Sequence, residues 1–304
     1  MTGEPSNTRD LLYQTLPSRA RADEWDIYYA GELAGGLTQK FAARHKTTGR
    51  RGVVKCGWPG TIVKEYLWPR LVHALHLPAA PAQFVPIPDD LLAREFGGGA
   101  EAQEDDEEGR TTGTPIGTLI HWIAPAESAA WLWHAPSDEL AVRGVAPATV
   151  VSLQALALWA GGMEPGEFML AGETPFVIDM QDGLFIDSFG RPQDPLQPRL
   201  YPESVARLHR LLAGRPWRAA ECEQAMATMR ALQGLSAAQI AWIVQEADRA
   251  VVEAARPKGA PRARQAAWRQ LMRQPSFQGH LRRLTQDWAE QVATVIAQAL
   301  KPQM

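Results

Sequence analysis

The chain has 304 residues, of which 45% are hydrophobic, so it is long enough to fold as one large domain or two lobes around a sizeable core. Its 31 basic and 34 acidic side chains give a formal net charge of -3, which predicts no overall attraction to nucleic acid or to an anionic membrane. Only two cysteines occur, Cys56 and Cys222, and they lie far apart in the sequence, so neither a disulfide framework nor a structural zinc site is indicated.

The N-terminal part of the chain carries no targeting pattern. Residues 1–26 lack the apolar core of a signal peptide, and no apolar run approaches the roughly 20 residues that span a bilayer. We therefore expect a cytoplasmic protein without a membrane partner. Residues 1–22 are predicted to form an extension in which the apolar patch Leu11 to Leu16 forms a loose helix, and no function is assigned to it.

A three-stranded meander is predicted after this extension. The runs IYY, KFAAR and GVVKC are rich in strand-forming residues and are separated by glycine-rich or Thr-Gly turns. The first turn extends from Gly31 to Gly36, where glycines without a Cβ allow backbone N–H groups to approach an anion closely. The same turn also fits an ordinary hairpin.

The stretch of residues 52–77 combines a lysine on a strand with a glutamate on the next helix. Lys55 follows two valines, and after a Gly/Pro turn a helix is predicted over 62–77 with Glu65 in its first turns. Nucleotide-binding folds use such a pair to anchor phosphates. Two other interpretations stay open from these residues alone: Lys55 as a solvated edge lysine, and Glu65 as a surface carboxylate near the positive end of the helix dipole.

The next segments alternate between strands and a strongly polar loop. QFVPI is predicted to be an edge strand because of its proline, and IGTLIHWIAP is predicted to be a second strand. Between them, residues 97–115 are acidic and of low complexity, so a solvated, mobile loop is expected. A metal site there would require oxygens fixed in a cage. Trp131 and Trp133 are interpreted as packing residues of the core or of a lobe interface.

A buried helix and a short β region are predicted further along. APATVVSLQALALWAGG is apolar on nearly all sides and ends at a Gly-Gly pair, as a buried helix does. MEPGEFMLAGETP reads as a loop with a short strand, and FVIDMQDGLFID reads as a strand pair. Asp179 closes the run FVI, where a carboxylate could hold a divalent metal against phosphate. It could equally begin a hairpin, with Asp182 and Gly183 at the turn.

The remainder is predicted to be helical, over 202–213, 217–233, 236–255, 262–274 and 278–300. Residues 256–283 contain eight basic side chains. This segment could contact nucleic acid or an acidic partner, although solvated arginine faces on amphipathic helices explain it as well. Nucleic acid is therefore not the expected partner.

This succession of elements resembles the HipA-like branch of the protein-kinase-like superfamily, and more distantly the phosphoinositide kinases. The resemblance covers residues 25–189 and is clearest over 31–88. It implies an α+β, two-lobed, protein-kinase-like fold with a small antiparallel β-rich N-lobe over residues 23–124. A larger and mostly helical C-lobe would follow over 125–304, with a catalytic-loop-like segment over 159–190.

The resemblance also implies roles for individual residues. Gly35, Gly36 and Gln39 would belong to the phosphate-covering loop, and Lys55 would bind the α and β phosphates with Glu65 as its orienting partner. The hinge beside adenine would contain two residues, Trp122 and Ile123. The implied cofactors are ATP and Mg²⁺.

The catalytic-loop pattern departs from that family. The family has Asp-Arg-His-Pro-Gly-Asn followed by a strand and Ile-Asp-His-Gly, whereas this chain has GMEPGE and then IDMQ. Asp179 matches the metal-binding aspartate, but Gly162 replaces the catalytic aspartate, and glycine cannot orient a hydroxyl or accept its proton. Glu167 replaces the metal-binding asparagine and remains a suitable Mg²⁺ ligand together with Asp179. Glu164 is a candidate base from a displaced position.

Three functional hypotheses follow from the sequence. The first is a catalytically impaired, pseudokinase-like protein that retains ATP and Mg²⁺ and acts through a protein partner. The second is an active, divergent ATP-dependent transferase, either a Ser/Thr protein kinase with a protein substrate or an enzyme of another phosphoryl or nucleotidyl transfer. The third is an interaction module in which the glycines and Lys55 are purely structural.

Overall fold

The computed structural model describes residues 8–29, 39–88, 90–91, 116–161, 167–179, 183–213, 217–255 and 276–299. An antiparallel sheet occupies the first part of the chain, and the second part is mainly helical with a smaller sheet. The predicted α+β class is therefore confirmed. Within the described ranges, no helix is long and apolar enough to cross a membrane.

The larger sheet is antiparallel and has the strand order β1-β2-β3-β5-β4. β4 lies at its edge, as its proline predicts. A second antiparallel sheet has the order β6-β7-β8. The strands are β1 Trp25–Tyr28, β2 Gln39–His45, β3 Arg51–Cys56, β4 Ala82–Pro86, β5 Ile116–His121, β6 Glu127–Ser128, β7 Phe168–Ala171 and β8 Thr174–Val177.

Along the chain, one short helix precedes these strands, others lie between them, and the rest follow β8. The helices are α1 Thr8–Leu11, α2 Pro59–Ala74, α3 Ser137–Val142, α4 Pro147–Ala160, α5 Tyr201–Ala213, α6 Ala219–Gln233, α7 Ala237–Ile243, α8 Ala247–Ala255, α9 Phe277–Arg283 and α10 Ala289–Ala299. A short 3-10 helix spans Ala130–Trp133 and a π turn spans Leu284–Trp288.

Several predicted boundaries are corrected by the structure. The helix expected over 62–77 is α2, which begins at Pro59 because proline is well suited to the first helical position. The helix expected over 236–255 is two helices, since the backbone at Glu246 is left-handed with a φ of 68° and cannot continue a helix. The helix expected over 278–300 contains the π turn.

The short β region after α4 also differs from its prediction. β7 and β8 form a hairpin with its turn at Gly172 and Glu173, whereas residues 183–187, predicted as the second strand of a pair, contain only an isolated bridge from Ile186 to Pro192. Asp182 itself lies outside the described residues, as do the acidic stretch 97–115 and the helix predicted over 262–274.

Helix α2 is buried along almost its whole length. One side packs against β4 and β5, and another packs against α7 and α8. Elements from distant parts of the chain cover the side of α2 that faces away from the sheet. A helix that is covered in this way does not show the polar face of a surface helix. The opposite face of the large sheet has its own core, formed by Trp25, Phe41, Val54 and Leu119.

Candidate functional site

A cavity of about 270 Å³ lies beneath the large sheet, beside α2 and the β7–β8 hairpin. Most of its lining is apolar, with side chains such as Val53, Ile120 and Phe176. Besides His121, its ionisable lining residues are Lys40, Lys55, Glu65 and Asp179. A mostly apolar cavity with a few convergent charges is typical of small-molecule sites.

Lys55 is held between two carboxylates at this cavity. Its Nζ lies 2.5 Å from Glu65 Oε1 and 3.1 Å from Asp179 Oδ1. The side chains of Lys55 and Glu65 are 8% and 4% exposed, whereas that of Asp179 is 29% exposed. The structure therefore brings together the three charged residues that the sequence places in one site, and the surface interpretations of Lys55 and Glu65 are wrong.

The local sequence explains this placement. Successive side chains of a strand point to opposite faces, so Val54 enters the core above the sheet while Val53 and Lys55 face the cavity. Lys55 lies opposite Thr118 of β5. The hydroxyl of Thr118 donates a hydrogen bond to the Ile62 carbonyl of α2 at 2.6 Å, which fixes the helix that carries Glu65.

The protonation of the pair follows from burial and from neighbouring charges. Burial lowers the pKa of Lys55, but the charges of Glu65 and Asp179 outweigh this effect, so the pKa of Lys55 is raised from its usual value. Burial raises the pKa of Glu65 to about 7, with the negative charge of Asp179 adding to the effect and Lys55 opposing it. One ammonium between two carboxylates gives a net charge of -1 when both acids are ionised.

Asp179 lies two residues after β8 in a left-handed backbone conformation, with a φ of 62°. A positive φ is uncommon for a residue with a Cβ, although aspartate adopts it more readily than most residues. Among the described residues, Asp179 Oδ1 has no directed hydrogen bond, although it lies at ion-pair distance from Lys55. A carboxylate oxygen with unused acceptor capacity beside a cavity suits a hard cation such as Mg²⁺.

Glu167 is tied to the same strand end through its backbone. Its carbonyl accepts a hydrogen bond from the N–H of Ile178 at 3.0 Å, one residue before Asp179. The backbone segments that carry Glu167 and Asp179 are therefore neighbours. In the described part of the chain, no group of three or more His, Cys, Asp or Glu side chains is arranged to hold a metal ion.

The far edge of the cavity is formed by the end of β5. His121, Trp122 and Ile123 all line it, and Trp122 is 43% exposed with the Arg51 guanidinium 5.3 Å from its ring centroid. The His121 N–H donates to the Pro81 carbonyl at 2.9 Å. The reciprocal bond of an antiparallel pair cannot form, because proline has no N–H to donate to the His121 carbonyl.

The His121 side chain lies outside the cavity on the core face of the sheet. It packs edge-on against Trp25, and its Nε2 lies 3.0 Å from Gln83 Oε1. Burial lowers the pKa of His121 to about 4, so the ring is neutral at pH 7. The backbone of this residue, rather than its imidazole, is therefore the part that a ligand in the cavity can reach.

The chain after Asp179 holds α2 in place. Lys64 Nζ donates to the Ile186 carbonyl at 3.1 Å, and the Gly60 N–H donates to the Ser188 carbonyl at 2.9 Å. A Cβ at Gly60 would lie 1.8 Å from the Asp187 carbonyl oxygen, so only glycine fits there. The position of Glu65 thus depends on contacts that the segment after the cavity makes with the start of α2.

Several predicted site residues lie outside the described residues: Gly35, Gly36, Gly162 and Glu164. Gln39 is the first residue of β2 and pairs with Cys56. The structure adds Lys40, which sequence reasoning did not single out. The signal was present, because strand alternation and the turn between KFAAR and GVVKC together place position 40 opposite Lys55.

No protein-family model matches this chain, and a search of curated proteins finds no match either. Function is therefore inferred from the geometry of the site and from the sequence.

Proposed function

We propose that this chain is a HipA-like, kinase-fold protein that binds ATP with Mg²⁺ and acts through a protein partner, with impaired phosphoryl transfer of its own. The observation that carries this proposal is the contact of Lys55 with both Glu65 and Asp179 beside a mostly apolar cavity. In protein kinases a strand lysine pairs with a helix glutamate and binds phosphate, while an aspartate holds Mg²⁺.

The order of elements supports the same assignment. The lysine lies on the third strand of a five-stranded antiparallel sheet, the glutamate lies on the helix between β3 and β4, and the aspartate follows a later hairpin. This is the succession that a kinase-like N-lobe and catalytic region would have. An ion pair with a purely structural role would not require this order of elements.

The end of β5 supports a nucleotide as the ligand. Pro81, which accepts from the His121 N–H, has no N–H of its own to donate, so the His121 carbonyl would be the acceptor for a ligand at the end of β5. Adenine has an exocyclic amino group that can donate to such a carbonyl. With the base at β5, the phosphates would extend beneath β3 toward Lys55.

The metal would be held by Asp179, with Glu167 as a second carboxylate ligand, and it would neutralise negative charge on the phosphates. Lys55 would bind a phosphate oxygen, and Glu65 would keep its ammonium oriented. Impaired transfer is inferred from Gly162, because a glycine provides no group to orient the attacking hydroxyl or to accept its proton.

Isothermal titration calorimetry of ATP, with Mg²⁺ and with EDTA, tests binding. We expect wild type to bind, Lys55→Met to bind at least about 10-fold more weakly, and Lys46→Met to bind as wild type does. Lys46 is a matched control because it lies at the turn after β2 and pairs with Asp26 instead of facing the cavity. Absence of ATP binding by the folded wild type would refute the proposal.

An active, divergent transferase is the second candidate, favoured by the backbone link between Glu167 and Ile178 that brings two potential metal ligands together. General-base catalysis contributes only about 10² to 10⁴-fold, so loss of the base alone need not abolish transfer. Release or transfer of the γ-phosphate by wild type, abolished in Asp179→Asn, would favour this candidate. ATP binding without turnover supports the impaired form.

A further inference from the structure

We propose that the N-terminal extension is part of the nucleotide site, and that Leu12 is a positioning residue for the end of the cavity that would hold the base. This inference rests on the proposed function and deepens it. Leu12 is fully buried and its neighbour Leu11 is buried as well. Both belong to one apolar cluster, whose other buried members are Ala80, Ile123, Ala171 and Phe176.

Most of this cluster forms the apolar wall of the cavity. Three of its buried members and the three partly buried side chains packed against it line the cavity: Ala80, Ile123, Phe176, Ile120, Ala126 and Met169. Of the residues that the structure describes, those lining the cavity do not include Leu11 or Leu12. The two leucines therefore support the wall from behind, and a ligand would contact the side chains that they hold in place.

The cluster joins two parts of the fold that meet at the cavity. Ile120 lies in β5 and Ile123 follows this strand, whereas Ala171 and Phe176 belong to the β7–β8 hairpin. Because protein interiors are close-packed, Leu12 helps to set the spacing between the end of β5 and the hairpin. The affinity for a flat base depends on this spacing, since both sides of the ring have to be in contact with the walls.

Backbone hydrogen bonds hold Leu12 against this wall. The Leu12 carbonyl accepts from the Ala79 N–H at 2.9 Å, and Ala79 directly precedes the cavity residue Ala80. The same carbonyl lies 2.9 Å from Nε2 of His73, in the last turn of α2. The extension thus contacts the helix that carries Glu65 and the segment that enters the cavity wall.

Further contacts continue along the extension. The Ser18 carbonyl accepts from the Phe84 N–H at 2.9 Å, and the Ala20 N–H donates to the Phe84 carbonyl at 2.8 Å. Arg19 therefore forms a parallel bridge with the edge strand β4, and its side chain is ion-paired with two acidic residues of the α8 region. These contacts place the extension in one register along β4.

This arrangement couples docking of the extension to occupancy of the cavity. A ligand that requires the intact wall binds the docked state in preference to the undocked state, and it thereby stabilises the docked extension. By reciprocity, a docked extension strengthens ligand binding by the same factor. Segments near a chain end open at a lower free energy than the core does, so this coupling operates without global unfolding.

The first test compares a leucine behind the wall with two control residues. Calorimetric titration with adenosine and with ATP and Mg²⁺ is performed on wild type, Leu12→Ala, Tyr13→Ala and Leu232→Ala, each at a temperature at which it is folded. Tyr13 is the next residue of the extension and is exposed, whereas Leu232 is fully buried in α6 and does not line the cavity.

We expect Leu12→Ala to bind adenosine and ATP about 10-fold more weakly, by equal factors, because the base end of the cavity is affected and Lys55 is not. Leu12→Met, which conserves volume, should retain most of the affinity. Tyr13→Ala should bind as wild type does. Leu232→Ala should lose comparable stability in urea denaturation without losing affinity.

Two results would overturn the inference while the proposed function stands. The first is an ATP affinity of Leu12→Ala equal to that of Tyr13→Ala. The second is a loss of affinity in Leu232→Ala as large as that in Leu12→Ala, because any loss of core packing would then have the same effect. If wild type binds neither ligand, the proposed function fails first, and the role of Leu12 fails with it.

Hydrogen exchange of the wild-type protein covers the case in which Leu12→Ala does not fold. The Ala79 amide is bonded to the Leu12 carbonyl, so its exchange reports undocking of the extension. We expect saturating ATP with Mg²⁺ to slow this exchange several-fold. The Gly144 amide, in the turn after α3, should exchange equally with and without ATP. Unchanged exchange of the Ala79 amide in ATP-bound protein would contradict the proposal.

Discussion

Two regions around helix α2 compensate a buried cation in different ways. On the cavity side, Lys55 contacts the carboxylates of Glu65 and Asp179. On the side that faces α7, Arg70 donates to the Trp242 and Leu16 carbonyls and lies 4.0 Å from the centroid of the Trp242 ring. The first region holds ionisable groups beside an open cavity, and the second is closed by neutral groups.

The difference indicates which cation is structural. Arginine keeps its charge at all relevant pH values, and Arg70 donates two hydrogen bonds to the Trp242 carbonyl near the end of α7. Arg70 thus fastens α2 to α7. The Lys55 cluster has one more acid than base, and one of its acids titrates near neutral pH. Such a cluster responds to a proton or a ligand, whereas the Arg70 contacts do not.

The largest expected effect comes from the closed region. Arg70→Ala removes three hydrogen bonds, two contacts with aromatic rings and the packing of a residue that is only 3% exposed. We expect the free energy of unfolding to fall by about 3 to 5 kcal/mol in urea denaturation. Arg70→Lys should recover only part of this loss, because an ammonium cannot replace the planar fork of arginine.

An exposed arginine provides the matched control for this variant. Arg143 pairs with Glu139 one helical turn away on the surface, and Arg143→Ala should cost less than about 1 kcal/mol. If Arg70→Ala and Arg143→Ala unfold at the same urea concentration, the fastening role of Arg70 is wrong.

The second expected effect is a pH dependence of the free energy of unfolding, caused by Glu65 in the cavity region. The pKa of Glu65 is raised by burial to about 7 from 4.5, so the folded protein binds this proton more tightly than the unfolded chain does. Between about pH 4.5 and 7 the free energy of unfolding should therefore fall as pH rises, by on the order of 2 to 3 kcal/mol. The raised pKa of Lys55 lies above this window and adds no slope there.

Glu65→Gln tests this assignment, because glutamine cannot titrate. We expect the variant to lose the decline in stability between about pH 4.5 and 7, while other groups keep the rest of the profile. Urea denaturation of wild type and variant at several pH values measures the difference. Parallel profiles for the two proteins would show that another group causes the slope.

The smallest expected losses of stability come from removing single hydroxyls that bind α2 to each region. Thr118 donates to the Ile62 carbonyl on the cavity side, and Tyr66 donates to the Gln245 carbonyl on the side of α7 and α8, both at 2.6 Å. Thr118→Val and Tyr66→Phe should each lower the free energy of unfolding by about 1 kcal/mol. Only Thr118→Val should also weaken ATP binding, since it loosens α2 beside Lys55. Equal effects of both variants on binding would remove this distinction.

The sequence was sufficient to predict most local elements, whereas the pairing of Lys55 with Glu65 was implied by the family resemblance and stayed open from the residues alone. The sequence was not sufficient to predict the contacts of α2 on the side that faces α7. Arg70 was part of an ordinary helical pattern, and nothing local indicates that carbonyls from Leu16 and Trp242 would surround it. Contacts between distant segments depend on packing, which periodicity does not report.

The N-terminal extension illustrates the same limit. It was predicted as a loose helix without a role, yet Leu12 is fully buried and Arg19 pairs with Glu246 and Glu253 at the start and end of α8. Short polar segments give weak patterns, so their docking is visible only in the folded chain. In contrast, α4 was predicted closely because an apolar helix with a glycine stop needs no distant information.

Gly60 has a consequence for how this sequence can diverge. Its lack of a side chain allows residues 187–190 to pass directly over the start of α2, and Gly190 in turn passes close to Val251 of α8. A larger residue at any one of these points requires the backbone at another to move. We therefore expect positions 60, 190 and 251 to change together or not at all among related sequences, which ties the first turn of α2 to a helix near the other end of the chain.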